Sequence, residues 1–328
     1  MNFSAPCAKY IDGVCSESLN PPWYYSHKNS LIDGIPDEYL ALASPIIAYW
    51  VLSLFFHYLD MQDWKSLEKY RINESVTAAS RNRVSKSVVV GAVIFQQILQ
   101  TALGLVWLSH DGRTKSLDHA GRIQNIGGYL ALLGLDEATM LRLGHFVYWW
   151  AVPIFQFLVA IFVIDTWQYF LHRYMHMNKF LYRHFHSWHH RLSAPYAFGA
   201  LYNHPVEGFL LDSLGTVIAE SVSGMSTRQA ALLFCVATFK TVDDHCGYSL
   251  PWDPLQMLTQ NNADYHDIHH QAISRRPISW LPLTRAQTIG IKSNFAQPFF
   301  VHWDTMLGTQ MTRQELEIRK KANREKRA

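Results

Sequence analysis

Three long uncharged stretches constrain how this chain of 328 residues can fold. They cover residues 40–59, 88–108 and 146–164, and each has about the 20 residues that a helix needs to cross the hydrocarbon layer of a bilayer. The aromatic triplet Tyr148–Trp150 stands near the start of the third stretch, as in an interfacial aromatic belt. A buried core helix would explain one such stretch but not all three. The sequence therefore predicts an all-α, polytopic membrane protein.

Two shorter apolar segments follow the third stretch. Residues 209–222 and 230–239 are separated by the polar turn 223–229, and both are shorter than the roughly 20 residues of a full span. We expect a membrane hairpin within 209–239, and the sequence leaves open whether it is re-entrant or consists of two full spans. The N-terminal segment 1–39 is polar and has no apolar core of a cleavable signal peptide, so the first span is expected to direct the chain to the membrane.

The distribution of positive charge predicts an orientation. The net charge is only +3, but the loop between the first two spans is compact and basic, and the positive-inside rule places it in the cytosol. Its basic residues are Lys65, Lys69, Arg71, Arg81, Arg83 and Lys86. This orientation makes residues 1–39 lumenal and puts residues 165–310 and the basic tail 311–328 in the cytosol. No basic stripe with interleaved aromatic residues indicates a nucleic-acid partner, whereas a basic rim suits membrane lipids or an acidic protein.

Histidine is concentrated after the third span. Of the 17 histidines, 12 fall between His172 and His302, and eight of these form an HxxxH box and two HxxHH boxes. Spacings of three and four residues bring imidazoles close to one face of a helix, and neutral imidazole is a common metal ligand. The eight are His172, His176, His186, His189, His190, His266, His269 and His270. Because one tetrahedral ion does not need eight ligands, the boxes predict a two-metal site and favour iron and oxygen chemistry.

Additional side chains are candidates for completing or supporting this site. His204 and His245 lie between the second and third boxes and are candidates for further metal ligands. Carboxylates that hold the imidazole tautomers are expected around such a centre, and the candidates are Asp165, Glu207, Asp244 and Asp267. Isolated histidines such as His27 and His57 are more simply explained as core or surface residues, and we do not expect His184 or His302 to be ligands.

The strings around the boxes carry a resemblance to a known family. Residues 165–177, 199–210, 240–248 and 265–271 resemble the fatty acid hydroxylase/sterol desaturase superfamily, and within it the fungal sphinganine 4-hydroxylases. The resemblance implies a multi-pass enzyme of the endoplasmic reticulum membrane with two non-haem iron ions. It also implies O2-dependent hydroxylation of position 4 of sphinganine or dihydroceramide, which gives phytosphingosine or phytoceramide. Electrons are then expected from NAD(P)H through cytochrome b5 and its reductase.

On this basis we divide the chain into four parts. These are the lumenal segment 1–39, the spans and loops 40–164, a fatty acid hydroxylase domain 165–310 and the tail 311–328. One departure from the family lies at residues 274–288, an irregular stretch between the third box and Gly290–Phe295. It is either an insertion at the membrane rim or translated non-coding sequence in the gene prediction.

Two other functions are compatible with parts of this sequence pattern. A sterol desaturase or sterol methyl oxidase of the same superfamily uses the same boxes and differs in its substrate. A histidine-rich metal transporter is also polytopic, but its ligands are expected near the bilayer midplane on interrupted helices, and the boxes here lie outside the uncharged stretches. A metalloprotease is disfavoured because the sequence contains no HExxH motif.

Overall fold

A computed structural model describes most of the chain. The described residues are 10–11, 14–15, 21–62, 64–73, 80–108, 119–273 and 293–325. Almost all of their regular structure is helical, which confirms the all-α prediction; a single antiparallel pair of two-residue strands, β1 (Tyr10–Ile11) and β2 (Val14–Cys15), is the exception within these ranges. The stretch 274–288 lies outside the described residues.

Nine helices in the described ranges have ten or more residues. They are α1 (Asp37–Met61), α2 (Lys86–Leu108), α3 (His119–Leu130), α4 (Glu137–Phe146), α5 (Val152–Met177), α6 (Leu214–Ser223), α7 (Thr227–Asp244), α8 (Ala263–Ile273) and α9 (Arg313–Glu325). Shorter α-helical pieces are Lys65–Glu68, Lys179–Leu181, Pro205–Gly208, Pro254–Leu258 and His302–Met306. Wider π turns occur at Val147–Ala151, Tyr182–His186 and Phe209–Ser213, and 3-10 turns at Ala131–Leu133, His189–Arg191 and Ala197–Leu201.

Three helical stretches are long and apolar enough to cross a membrane. They are Asp37–Met61, Lys86–Val106 and Glu137–Met177, and they contain or largely overlap the three uncharged stretches of the sequence. The third consists of α4, the π turn and α5 as one helix of 41 residues. At 1.5 Å per residue it is about 60 Å long, roughly twice the thickness of the hydrocarbon layer. The uncharged stretch 146–164 thus predicts only the central part of this helix, and the helix continues beyond it at both ends.

Helices α6 and α7 lie where the sequence predicts a hairpin, and a short turn connects them; that this hairpin lies in the membrane stays a prediction. Gly224 ends α6 in the left-handed conformation (φ +62°), which glycine adopts without a Cβ clash. Ser226 then begins α7 with a capping box, in which its side chain accepts from the Gln229 amide and the Gln229 side chain accepts from the Ser226 amide. Neither helix is among the candidate spans of the described residues, because α6 has only ten residues and α7 contains buried charges near its end.

The helices pack as two pairs with a space between them. Helix α1 lies along α7, and α5 lies along α6. The first pair is joined to α2 by the Trp50 indole, which donates to the Gln97 side-chain oxygen at 3.0 Å. Tyr49 is fully buried and its hydroxyl donates to the Phe198 carbonyl at 2.7 Å, so the main apolar cluster extends from α1 into the segment after the second histidine box.

The contact between α3 and α4 depends on glycine. A Cβ at Gly144 would lie 2.9 Å from the Ile123 carbonyl oxygen, a backbone atom that cannot move without shifting α3. We expect Gly144→Ala to lower the free energy of unfolding by about 1–3 kcal/mol, as overpacked sites do. Thermal unfolding of the purified protein in detergent measures this effect.

Gly128 provides the matched control because a Cβ there meets no atom within 4 Å. Gly128→Ala on the exposed side of α3 is expected to be neutral or to stabilise by about 0.5–1 kcal/mol through helix propensity. Equal destabilisation by the two substitutions would show that the close approach of the two backbones is not the cause.

Candidate metal centre

Four segments of the chain bring the histidine boxes together. The first box ends α5, the second lies on the turns at 182–191, and the third lies on α8. His245 follows the last residue of α7 and joins them. None of these nine histidines is more than 5% exposed, so the fold places a large group of imidazoles in a site that excludes water.

The nine imidazoles form two separate clusters of possible ligands. The first cluster contains His172, His176, His186, His190 and His269. The second contains His189, His245, His266 and His270. Within each cluster, the ligand atoms all lie within 4.8 Å of one another.

Each HxxHH box contributes to both clusters. In the second box the residues at i and i+4 belong to the first cluster and the residue at i+3, His189, belongs to the second. The third box does the reverse, since His269 at i+3 joins the first cluster. Adjacent residues of a helix point about 100° apart, so the neighbouring histidines of each box diverge towards different centres. The spacing of the boxes thus provides for two sites side by side.

The Nε2 atoms of each cluster converge on a small volume. In the first cluster, neighbouring Nε2 atoms are 2.7–3.3 Å apart. In the second, the corresponding distances are 3.0–3.4 Å. Two nitrogens bound at right angles to one ion, each at about 2.1 Å, are separated by about 3.0 Å. The donor sets therefore fit a metal ion in each cluster.

The outer nitrogen of most rings is held by backbone. The Nδ1 atoms of His172, His269 and His270 donate to the carbonyls of Phe295, Ser293 and Leu192 at 2.9, 2.9 and 2.7 Å. His245 and His189 donate in the same way to the carbonyls of Thr241 and Tyr202. Because a carbonyl only accepts, each of these rings is protonated at Nδ1 and presents the Nε2 lone pair to its cluster.

Glu207 holds one further ring through a carboxylate. The His186 Nδ1 donates to the Glu207 Oε1 at 2.5 Å, and both side chains are buried. This contact fits the role that the sequence suggests for Glu207. It fixes the tautomer and the orientation of the ring.

The other three candidate carboxylates contact groups other than histidines. Asp165 accepts from the backbone amides of Phe299 and Phe300 at 3.0 and 2.9 Å. Asp244 pairs with the buried Lys240 on α7, and Asp267 accepts from Asn73, Gln271 and Arg313. These contacts hold segments of backbone in place, so any effect on the histidines is indirect.

His204 lies outside both clusters, contrary to the expectation that it is a ligand. Its Nδ1 accepts from the Val206 amide at 3.2 Å and so caps the short helix Pro205–Gly208. Its ring packs against Phe185 and Trp188. The cap supports the turn on which Glu207 lies, which is a structural reason for a histidine at this position.

Burial keeps the imidazoles in the neutral form that binds metals. Loss of solvent lowers the pKa of His269 to about 3 and the pKa of His245 to about 4. The pKa values of His189, His190, His266 and His270 are lowered in the same direction and mainly by the same cause. These six rings are therefore neutral at neutral pH.

Sequence reasoning did not find the carbonyls that orient the rings. Two of them flank Asn294, which is in the left-handed conformation (φ +56°). The Asn294 side chain donates to the carbonyls of Tyr265 and Met311 and accepts from the Met311 amide. These hydrogen bonds hold the backbone around Asn294 in place, so that the carbonyls of Ser293 and Phe295 face the first cluster. Carbonyls are present at every residue, so only the tertiary structure identifies these ones.

A cavity of about 2350 Å³ lies between the two helix pairs and ends beside the clusters. One end is bordered by Asp37 and Arg228, and the other by Leu201, Thr241 and Gln168. Arg228 and Thr241 are both on α7, so the cavity follows that helix for about 20 Å. Gln168 lies one helical turn before His172, which puts the inner end next to the first cluster.

The two clusters predict a stoichiometry. We expect the purified protein to hold two metal ions per chain, and either His172→Ala or His270→Ala to lower this number by disrupting one cluster each. Elemental analysis of the protein in detergent measures the metal content. His184→Ala is the control, since that exposed ring lies outside both clusters and, within the described part of the chain, forms its hydrogen bond to the Phe180 carbonyl. Loss of metal in the control equal to that in His172→Ala would contradict the assignment.

The contact between Glu207 and His186 predicts a second effect. We expect Glu207→Ala to weaken metal binding or activity by about 10- to 100-fold, as removal of a hydrogen-bond partner of a metal-binding histidine does. Metal retention during dialysis against a chelator gives a measure that is independent of turnover. Asp267→Asn, which alters a buried carboxylate on α8 without a histidine contact, is expected to have a smaller effect.

The site can now be compared with known proteins. Residues 157–309 match the family model described as fatty acid hydroxylase. A sphingolipid C4-hydroxylase of Schizosaccharomyces pombe is 44% identical over 276 residues, covering 83% of this chain and 88% of the relative. Sphinganine C4-monooxygenase 1 of Arabidopsis thaliana is 43% identical over 278 residues, covering 85% and 89%.

Relatives with other names are similar over different lengths. A rice protein named very-long-chain aldehyde decarbonylase is 40% identical over 277 residues, covering 84% of this chain and 90% of its own. A C-4 methylsterol oxidase of S. pombe is 33% identical over 175 residues, about half of each chain. No solved structure matches. Two clusters of buried histidines beside membrane-spanning helices, together with these similarities, show that the chain belongs to the fatty acid hydroxylase family of membrane oxidoreductases.

Proposed function

We propose that this hydroxylase acts on carbon 4 of a saturated long-chain base, sphinganine or dihydroceramide, and forms the phyto-form of the lipid. The observation that carries the proposal is the position of the long cavity, whose inner end lies one turn of α5 from the first histidine cluster. The substrate class rests on the relatives named sphingolipid C4-hydroxylase and sphinganine C4-monooxygenase, which match most of the chain.

We infer that each cluster holds one non-haem iron ion. The ligands are the nine clustered histidines, five in the first cluster and four in the second. An all-nitrogen donor set of borderline softness suits iron, and iron with O2 supplies the oxidising power to break an unactivated C–H bond. Reducing equivalents come from NAD(P)H through cytochrome b5 and its reductase. An acidic redox partner is compatible with the basic loop and tail of this chain.

The contribution of the chain itself is ligation, orientation and exclusion of water. The backbone carbonyls and Glu207 hold the rings so that the Nε2 atoms converge before a metal binds. The cavity is long enough to take an extended alkyl chain along α7, and its inner end puts one segment of that chain near the first cluster. Such positioning selects which carbon reacts.

We also propose that the protein lies in the endoplasmic reticulum membrane with the histidine clusters and the C-terminus on the cytosolic side. The basic residues between the first two spans support this orientation. It gives a soluble electron donor on the cytosolic face direct access to the side of the membrane on which the clusters lie.

The relative named methylsterol oxidase supports a sterol substrate less well. Its similarity is limited to about half of this chain, whereas the C4-hydroxylases match more than four fifths of it. The metal transporter alternative does not account for the family membership.

Lipid analysis tests the proposal directly. We expect a cell that lacks 4-hydroxylated long-chain bases to form them when this chain is expressed, because the clusters and cavity are then supplied with substrate and oxygen. Mass spectrometry of the long-chain bases measures the product. His189→Ala and His269→Ala, one for each cluster, are expected to abolish it while the protein remains in the membrane.

His184→Ala is the control and is expected to form product normally. If the expressed wild-type chain forms no 4-hydroxylated base but oxidises an added sterol, the proposed substrate is wrong. If His189→Ala or His269→Ala retains 4-hydroxylation, the ligand assignment is wrong.

A further inference from the structure

An unpaired carboxylate lies at the inner part of the cavity. Asp212 is on the π turn Phe209–Ser213 and lines the cavity. Among the described residues, its buried Oδ2 atom has no hydrogen-bond partner, and no lysine or arginine there forms an ion pair with it. A carboxylate among membrane helices is costly unless a partner compensates it, and such residues mark ligand or ion sites.

A second unpartnered polar group lines the same cavity. Gln97 on α2 is only 7% exposed, and its Oε1 accepts from the Trp50 indole at 3.0 Å. Because the indole N–H can only donate, this contact fixes the orientation of the amide and leaves the Nε2 group as a free donor. The Nε2 atom is buried and has no partner among the described residues.

Gln100 joins the helix that carries Gln97 to the turn that carries Asp212. Its Nε2 donates to the Gly208 carbonyl at 3.2 Å and to the Ser213 hydroxyl at 3.1 Å. Gln97 lies one turn before Gln100 on the same face of α2, and Asp212 is the neighbour of Ser213. The Gln97 Nε2 donor and the Asp212 carboxylate thus lie on the two elements that Gln100 joins, at the cavity wall formed by α2 and the π turn.

The same wall is connected to the metal centre. Glu207, which bonds to the ring of His186, precedes Asp212 by five residues in one continuous helical stretch. At 1.5 Å per residue this is a rise of about 7–8 Å. A ligand bound at Asp212 is therefore held at a short, fixed distance from the first cluster.

We propose that Asp212 and Gln97 bind the polar head of an unacylated long-chain base. Asp212 accepts from the protonated amine on carbon 2, and the Gln97 Nε2 donates to a hydroxyl oxygen of the head. This inference rests on the proposed function and refines it, because it selects the free base over the ceramide. An N-acylated lipid carries an uncharged amide in place of the ammonium and leaves the buried carboxylate uncompensated. Carbon 4 is two carbons beyond the amine, so the carboxylate that anchors the amine also positions the reacting carbon.

Binding measurements without turnover test this inference. The full-length metal-loaded protein in lipid nanodiscs is titrated with radiolabelled sphinganine, without oxygen or reductant, and in parallel with N-acylated sphinganine. We expect Asp212→Asn to weaken sphinganine binding by roughly 10- to 100-fold, the loss expected for one charge-assisted hydrogen bond. Binding of the N-acylated lipid is expected to change little, and Asp212→Glu to restore part of the sphinganine affinity.

Glu220→Gln is the matched control. Glu220 is a carboxylate on the wall of the same cavity, two turns further along α6 from Asp212. The Glu220→Gln substitution is expected to leave the preference for sphinganine over the N-acylated lipid unchanged. In turnover assays, Asp212→Asn is expected to raise the KM for sphinganine without raising the KM for the N-acylated lipid.

The outcomes separate this inference from the proposed function. Equal sphinganine binding by the wild type and Asp212→Asn overturns the head-group site and leaves 4-hydroxylation standing. An equal loss of binding of both lipids in Asp212→Asn also overturns it, because a purely structural role of Asp212 gives that result. If sphinganine binding depends on Asp212 but the wild type forms no 4-hydroxylated product, the head-group site stands and the proposed function fails.

Discussion

The convergence of neutral imidazole rings is the constraint on which the rest of the structure depends. Neighbouring Nε2 atoms in the first cluster are as close as 2.7 Å, and burial removes the water that would otherwise separate them. Two lone pairs repel at this distance unless a proton or a cation lies between them. A metal ion bound there would therefore stabilise the fold. The surrounding chain must hold the rings in place, because converging lone pairs do not attract one another.

Much of this support comes from carboxylates that accept hydrogen bonds from backbone amides. Asp304 accepts from the amides of Phe295 and Ala296, and Asp165 accepts from those of Phe299 and Phe300. The two carboxylates clamp one loop against α5, and the Phe295 carbonyl of this loop holds the ring of His172. A carboxylate that touches no histidine thus still determines where a histidine points.

The sequence was sufficient for features that depend on local pattern. Span-length apolar stretches predicted the three membrane helices, and the box spacings predicted which histidines gather. It was less informative where geometry depends on distant contacts. His204 has the right neighbours for a ligand but caps a helix, and Asp244 pairs with Lys240 instead of a histidine. The HxxHH spacing lets the two adjacent histidines of a box face different centres, but which of them joins which cluster depends on how α8 crosses the second box, and no local pattern contains this.

The separation of the metal centre from the cavity explains how one family can oxidise different lipids. Among the described residues that line the cavity there is no clustered histidine. Differences in substrate are then expected to arise from the cavity wall, where Asp212 and Gln97 each have a buried polar atom without a partner in the described part of the chain. A buried carboxylate oxygen without a partner is destabilising for folding, so its presence there is most simply explained by a cationic ligand. On this view the metal centre determines the reaction, and the cavity wall determines the lipid and the carbon.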